Sequence, residues 1–81
     1  NKYLDRLQRL DSLIKHRATG TPTELARKMN VSVSVVYRDL NVLKSFGAPL
    51  RWCSYAGSYV YDWEGKLEVR FLPAPPNAKM N

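Results

Sequence analysis

Ser32, Ser34, Tyr37, Arg38, Asn41 and Lys44 are the residues of this chain whose types and spacing could do chemistry. Hydroxyls, a phenol, a guanidinium, an amide and an ammonium are the groups that hydrogen-bond base edges and phosphate oxygens. At about 100° per residue, Ser34, Tyr37, Arg38, Asn41 and Ser45 fall on one face of a helix, with Lys44 at its edge and no acid among them. That face suits an anionic groove rich in acceptors, so the chemistry is recognition rather than bond breaking. Catalysis finds no support. There are no paired carboxylates, no histidine near a candidate nucleophile and no glycine-rich phosphate loop. One cysteine and one histidine exclude an intrachain disulfide and an ordinary zinc site, and no cofactor is expected. Cys53 reads as a small strand residue rather than a thiolate, and the chain is expected not to be an enzyme.

A helix must carry that face, and the sequence around it supplies one. Ser32 is suited to cap it, Gly47 to stop it, and the opposite side holds Val33, Val36, Leu40 and Leu43. Val35, Val42 and Phe46 widen the apolar arc to about half the circumference, as in a helix packed on two sides. Asp39 points into this arc, where a basic neighbour or a backbone group must satisfy it; Arg38 is one candidate partner. Immediately upstream, Thr21, Pro22 and Glu24 make a capping box for a short helix ending at Met29, with Leu25, Ala26 and Met29 inward. Asn30-Val31 is the turn between the two, because asparagine tolerates a left-handed backbone.

An earlier helix, over residues 3–17, carries Tyr3, Leu7, Leu10 and Ile14 at helical spacing, widened by Leu4 and Leu13. Asp5 with Arg9 and Asp11 with Lys15 form acid-first pairs four residues apart. Gly20 is expected to take the left-handed position that ends this stretch. After Pro49 the period changes from 3.6 to 2. Residues 50–54 and 58–62 read as two strands, joined by Tyr55-Ala56-Gly57 with Gly57 free to adopt a positive φ. Residues 66–71 alternate as a candidate third strand, with Leu67, Val69 and Phe71 inward. The expected architecture is α+β: a winged helix-turn-helix of three helices and a β-hairpin wing over residues 1–72, then a flexible tail over 73–81.

The charge is asymmetric. Of the formal net +6, all sits in residues 1–51, which hold ten lysines and arginines against four acids; residues 52–81 are balanced, three against three. An anionic partner for the helical part follows. Arg27, Lys28, Lys44, Ser32 and Arg51 are the expected backbone anchors, with Arg38, Tyr37, Asn41 and Ser34 reading or bracing the major groove. No apolar run approaches the ~20 residues of a membrane span, and a reducing, cytoplasmic setting fits the single cysteine.

From Val31 to Leu43 the sequence reads V-S-V-S-V-V-Y-R-D-L-N-V-L, which resembles the recognition-helix region of bacterial DeoR-type and WYL-domain regulators, often V-S-x-R-T-[IV]-x-R-D-L-x-x-L. Thr21 to Val31 is similar to the preceding helix of that family, and the likeness extends over residues 3 to about 62. It implies a bacterial or phage transcription regulator that binds double-stranded DNA, with Ser32, Ser34, Tyr37 and Arg38 near the DNA and Val36 and Leu40 in the core. Two positions depart from the pattern: Ser34 stands where arginine is frequent and Val35 where threonine is. The loop Tyr55-Ala56-Gly57 carries no cation either, which leaves Ser54, Tyr55 and Ser58 to touch only the DNA backbone. A second copy of the chain is the other expected partner, and no small-molecule ligand is evident. The competing reading is a protein-association or dimerisation module using the aromatic hairpin residues Trp52, Tyr55, Tyr59, Tyr61 and Trp63.

Overall fold

Each of the three helices opens on a side-chain cap. Asn1 accepts from the N–H groups of Tyr3 and Leu4 to start α1, Lys2–Lys15. Thr21 and Glu24 complete the expected capping box of α2, Pro22–Met29, and Ser32 accepts from the Val35 N–H to start α3, Val33–Ser45. The N–H of Thr21 on its carboxylate holds Glu24 below the usual carboxylate pKa, so the box is charged at neutral pH. The computed structural model describes residues 1–68 together with 73 and 74.

All three helices close in the same way. A left-handed residue gives its N–H to the carbonyl three back, and the next residue gives its N–H to the carbonyl five back. Asn30, at φ 55°, does this for α2 as expected, and Gly47, at φ 93°, for α3. For α1 the left-handed residue is Arg17, at φ 53°, not Gly20. Ala18 bonds to Leu13 O and Arg17 to Ile14 O, which ends the helix two residues earlier than the apolar period suggested. Gly20 is also left-handed, at φ 68°, but its work lies in the loop, where a Cβ would come within 3.0 Å of the Glu24 side chain.

Two antiparallel strands follow, β1 (Leu50–Cys53) and β2 (Ser58–Tyr61), each one residue shorter than the alternation implied. Gly57 takes the expected positive φ, 61°, in the connecting loop. Lys66, Leu67 and Glu68 are not in a strand, and the remainder of the expected third strand lies outside the described residues, as does nearly all of the tail. The arrangement is three helices and a β-hairpin, the α+β winged helix expected.

The core is built from Leu7, Leu10 and Ile14 of α1, Leu25, Ala26 and Met29 of α2, and Val36, Leu40 and Leu43 of α3. Val31, Ala48, Leu50, Tyr59 and Tyr61 pack against it from the turn and hairpin. The apolar arc of α3 is narrower than its sequence suggested: Val33 is 37% exposed and Phe46 50%. Both lie at the ends of α3.

The hairpin is fastened to the helices by buried hydroxyls. Ser58, fully buried, accepts from the Thr19 N–H at 3.1 Å, and Thr19 Oγ1 accepts from the Tyr59 N–H at 2.9 Å. The two hydroxyl oxygens stand 2.9 Å apart, with the carbonyls of Gly20 and Tyr59 as further acceptors. Two protons serve three such contacts, so the hydroxyls share rather than saturate them. Burial removes Ser58 from any role at a DNA backbone. Ser58→Ala leaves the Thr19 N–H without its partner in a dry site, and we expect a loss of about 1–3 kcal/mol, read as a lower urea midpoint. Tyr61 adds a second tie, donating to Asp11 Oδ1 at 2.7 Å, while Lys15 pairs with Asp11 Oδ2 at 3.2 Å. Burial, then the bond to Asp11, pushes the Tyr61 phenol above its ordinary range.

Candidate nucleic-acid interface

The packing of α3 decides which of its residues meet solvent. Val36, Leu40 and Leu43 are turned into the core, so Ser34, Tyr37, Arg38, Asn41, Lys44 and Ser45 emerge as one exposed stripe along the helix. Ser32 stands exposed at its start. The Ser32 oxygen is used as an acceptor by the cap, and its O–H remains available to donate outward. Ser45 differs: its hydroxyl donates back to Val42 O at 2.6 Å. The helix-turn-helix thus presents Ser34, Tyr37, Arg38, Asn41 and Lys44 together.

Asp39, between Arg38 and Leu40, is fully buried. Its partner is not Arg38 but Arg6 of α1, whose Nε reaches Oδ2 at 2.6 Å and whose second guanidinium nitrogen reaches Oδ1 at 3.0 Å. The Arg6 guanidinium also lies 5.1 Å from the centre of the Tyr3 ring. The bond to Asp39 raises the Arg6 pKa further, so this cation is permanent. Two consequences follow. The one acid of α3 is neutralised from behind, and Arg38 is left with no hydrogen bond or ion pair among the described residues.

The other expected anchors divide. Arg27 and Lys44 are exposed, and their charged groups make no hydrogen bond or ion pair among the described residues. Lys28 instead spends its ammonium on the Ala18 carbonyl, at 2.6 Å. Arg9 reaches the Lys28 carbonyl at 2.9 Å, in place of the ion pair expected with Asp5. Together these bonds tie α1 and the loop after it to the end of α2. Arg51 is paired across the hairpin with Asp62, and that pair raises its pKa. Asp62 sits just past β2, and its N–H bonds to Pro49 O at 2.9 Å, which brings its carboxylate beside Arg51. Neither pairing was visible in the sequence, because both partners come from loop residues placed by the fold.

On the hairpin, Tyr55 at the loop is 97% exposed and Trp63 is exposed, while Tyr59 and Tyr61 are half-buried against the core. Cys53 is half-buried; the Ala56 N–H directed at its sulfur, at 3.4 Å, lowers the thiol pKa. The Arg51 guanidinium beside it also lowers the thiol pKa, and among the described residues no cluster of metal-binding side chains forms. No described helix is long and apolar enough to cross a membrane.

No curated protein and no solved structure matches the chain significantly. A family model described as an HTH domain does match, over residues 5–51, which runs from the first turns of α1 through α2, α3 and the start of β1. With more than half of its length under that match, and with two helices joined at Asn30 in the corresponding place, the chain belongs to the helix-turn-helix (HTH) domain family.

Proposed function

We propose that this chain binds double-stranded DNA by laying α3 in the major groove, and that it serves as a bacterial or phage transcription regulator. Membership of the HTH domain family supports DNA binding. The observation that carries the finer reading is the exposed stripe of Ser34, Tyr37, Arg38, Asn41 and Lys44, free of acids because Asp39 is buried on Arg6. In this reading Arg38, Tyr37, Asn41 and Ser34 face base edges, and Lys44, Arg27 and the Ser32 hydroxyl hold phosphates. Lys28 and Arg51 act as secondary anchors, since each must share its charge with an internal partner. Residues 1–72 act as the binding unit and 73–81 as a tail. A second copy supplies the second half-site, about 34–36 Å along the duplex.

Titration of a random and a selected duplex at several salt concentrations tests this. Each neutralised phosphate contributes about −0.9 to the slope of log K against log salt, so the three expected anchors without a partner among the described residues, Arg27, Arg38 and Lys44, give a slope near −3. Release of Lys28 and Arg51 from their partners steepens it to about −4 to −5. A flat response sinks the DNA reading. It would favour association with another protein through the hairpin, for which the exposed rings of Tyr55 and Trp63 are the supporting feature.

A further inference from the structure

The two outer edges of the hairpin differ in how their backbone groups are met. Asp62 gives its N–H to Pro49 O at 2.9 Å, which fixes the alternation of the ladder. In the register that runs from Leu50↔Tyr61 to Cys53↔Ser58, Arg51 and Cys53 then bond inward to β2, while Leu50 and Trp52 turn their backbone groups away. Tyr59 turns away likewise on β2, and its N–H is met by Thr19 Oγ1 at 2.9 Å. On β1 the Leu50 N–H bonds back to Ala48 O, and the Ser54 carbonyl accepts from the Gly57 N–H. The Leu50 and Trp52 carbonyls and the Trp52 and Ser54 N–H groups make no hydrogen bond among the described residues. A free charge is the usual defence of such an edge, but Arg51 is paired with Asp62 and residues 52–57 carry none.

We propose that this edge pairs with the same edge of a second copy, β1 against the partner's β1, antiparallel and centred on Trp52. A two-fold axis there sets Trp52 opposite the partner's Trp52, and Leu50 opposite the partner's Ser54. Each Trp52 N–H then meets the other Trp52 carbonyl, and each Ser54 N–H meets a Leu50 carbonyl. Four bonds close, and the groups left over, Leu50 N–H and Ser54 O, are those already used by Ala48 and Gly57. Trp52 is 40% exposed, and its ring meets Tyr59 edge to face with centroids 5.2 Å apart. Pairing sets the two indoles side by side and extends that contact across a four-stranded sheet. Charge selects the same partner. The formal +6 lies in residues 1–51, so the hairpin, with Arg51 neutralised by Asp62, is where two such chains meet with least repulsion. Four residues bury less than the ~800 Å² per partner of a standard interface, which makes the dimer a transient one. The pairing does not need DNA; where the DNA reading holds, it names the surface through which the second copy joins.

Two measurements on the full chain without DNA test the pairing. The first is cross-linking that reads the register. Arg51 falls opposite the partner's Cys53 at a non-hydrogen-bonded position, where β-carbons lie about 4.5–5.5 Å apart. On mild oxidation Arg51→Cys should give a covalent dimer joining position 51 of one copy to Cys53 of the other. It should form about tenfold faster than any dimer of the parent chain, whose two Cys53 thiols stand two positions out of register. The second is sedimentation equilibrium up to about 1 mM chain, where the parent should shift from monomer toward dimer. Trp52→Pro removes an outward N–H that the ladder with β2 does not use, and it should abolish the shift. Trp52→Val loses the ring but keeps the N–H, and it should associate more weakly than the parent. The cross-linking result stands even if Trp52→Pro fails to fold. Linkage between like positions, or a folded Trp52→Pro chain that associates like Trp52→Val, overturns the proposal. A parent chain that stays monomeric throughout overturns it too, and leaves DNA binding by a single copy untouched.

Discussion

Arg6→Ala is expected to destabilise the domain by about 3–5 kcal/mol, the cost typical of removing one partner from a buried ion pair. Asp39 is fully buried, and Arg6 is the residue whose guanidinium meets both of its oxygens. Without it a carboxylate is left in the core with no counter-charge and no hydrogen-bond donor among the described residues. Small domains are stable by only about 5–15 kcal/mol, so the loss should appear as a large drop in urea midpoint and melting temperature. A double variant separates the charge from the packing. Arg6→Met with Asp39→Leu replaces both partners by apolar groups of similar reach, and it should regain most of the lost stability, because the pair contributes little beyond satisfying itself. If the single variant melts like the parent, Arg6 is not the group that satisfies Asp39. If the double variant is as unstable as the single, the pair is worth more than its own desolvation.

Arg38→Ala is the second large effect, and it falls on binding instead of folding. Its side chain is exposed and unpaired among the described residues, so its removal should shift the melting temperature very little. On duplex DNA we expect a loss of about 1–3 kcal/mol, roughly five- to 150-fold in affinity. The same titration identifies what Arg38 touches. If it holds a phosphate, the loss is uniform across sequences and the salt slope flattens by about one; if it reads a base, the slope holds and discrimination at one position relaxes. Affinity equal to the parent on both selected and random duplexes removes Arg38 from the interface. The contrast with Arg6 is built into α3 itself. Adjacent residues on a helix point about 100° apart, so Asp39 enters the core while Arg38, one step back, faces solvent.

Much of this architecture was legible in the chain because it depends on residues within a few positions of each other. The capping box of Thr21 and Glu24, the Ser32 cap, the left-handed Asn30 and Gly47, and the switch from helical to strand alternation are all local. Their outcome depends on the backbone of one turn, which the sequence specifies directly. The same holds for the sidedness of α3, since burying Val36, Leu40 and Leu43 obliges Ser34, Tyr37, Arg38 and Asn41 to emerge. Where local reading failed, a local competitor had won: Arg17 takes the left-handed position before Gly20 is reached, closing α1 early.

Pairing between distant residues is another matter. Arg6 and Asp39 are 33 positions apart, and Thr19 and Ser58 are 39 apart. A cation four residues from an acid is an obvious candidate partner in a sequence, and Lys15 does pair with Asp11, yet Asp5 lost Arg9 to the Lys28 carbonyl; Asp39, with no cation four residues away, was satisfied from another helix. An exposed pair four apart is worth only a few tenths of a kcal/mol, whereas a buried carboxylate or hydroxyl left unmet costs several times more. Arg6 goes where burial makes the demand greatest, whereas Arg9, Lys28 and Arg51 take exposed partners that the packed elements bring within reach. The sequence by itself determined the helices, the turn and the polar face of α3. Only the tertiary structure decided which charges that face keeps: among the described residues Arg38, Arg27 and Lys44 stay unpaired while Lys28 and Arg51 are engaged, because the exposed Ala18 carbonyl and Asp62 come within their reach only after the elements have packed.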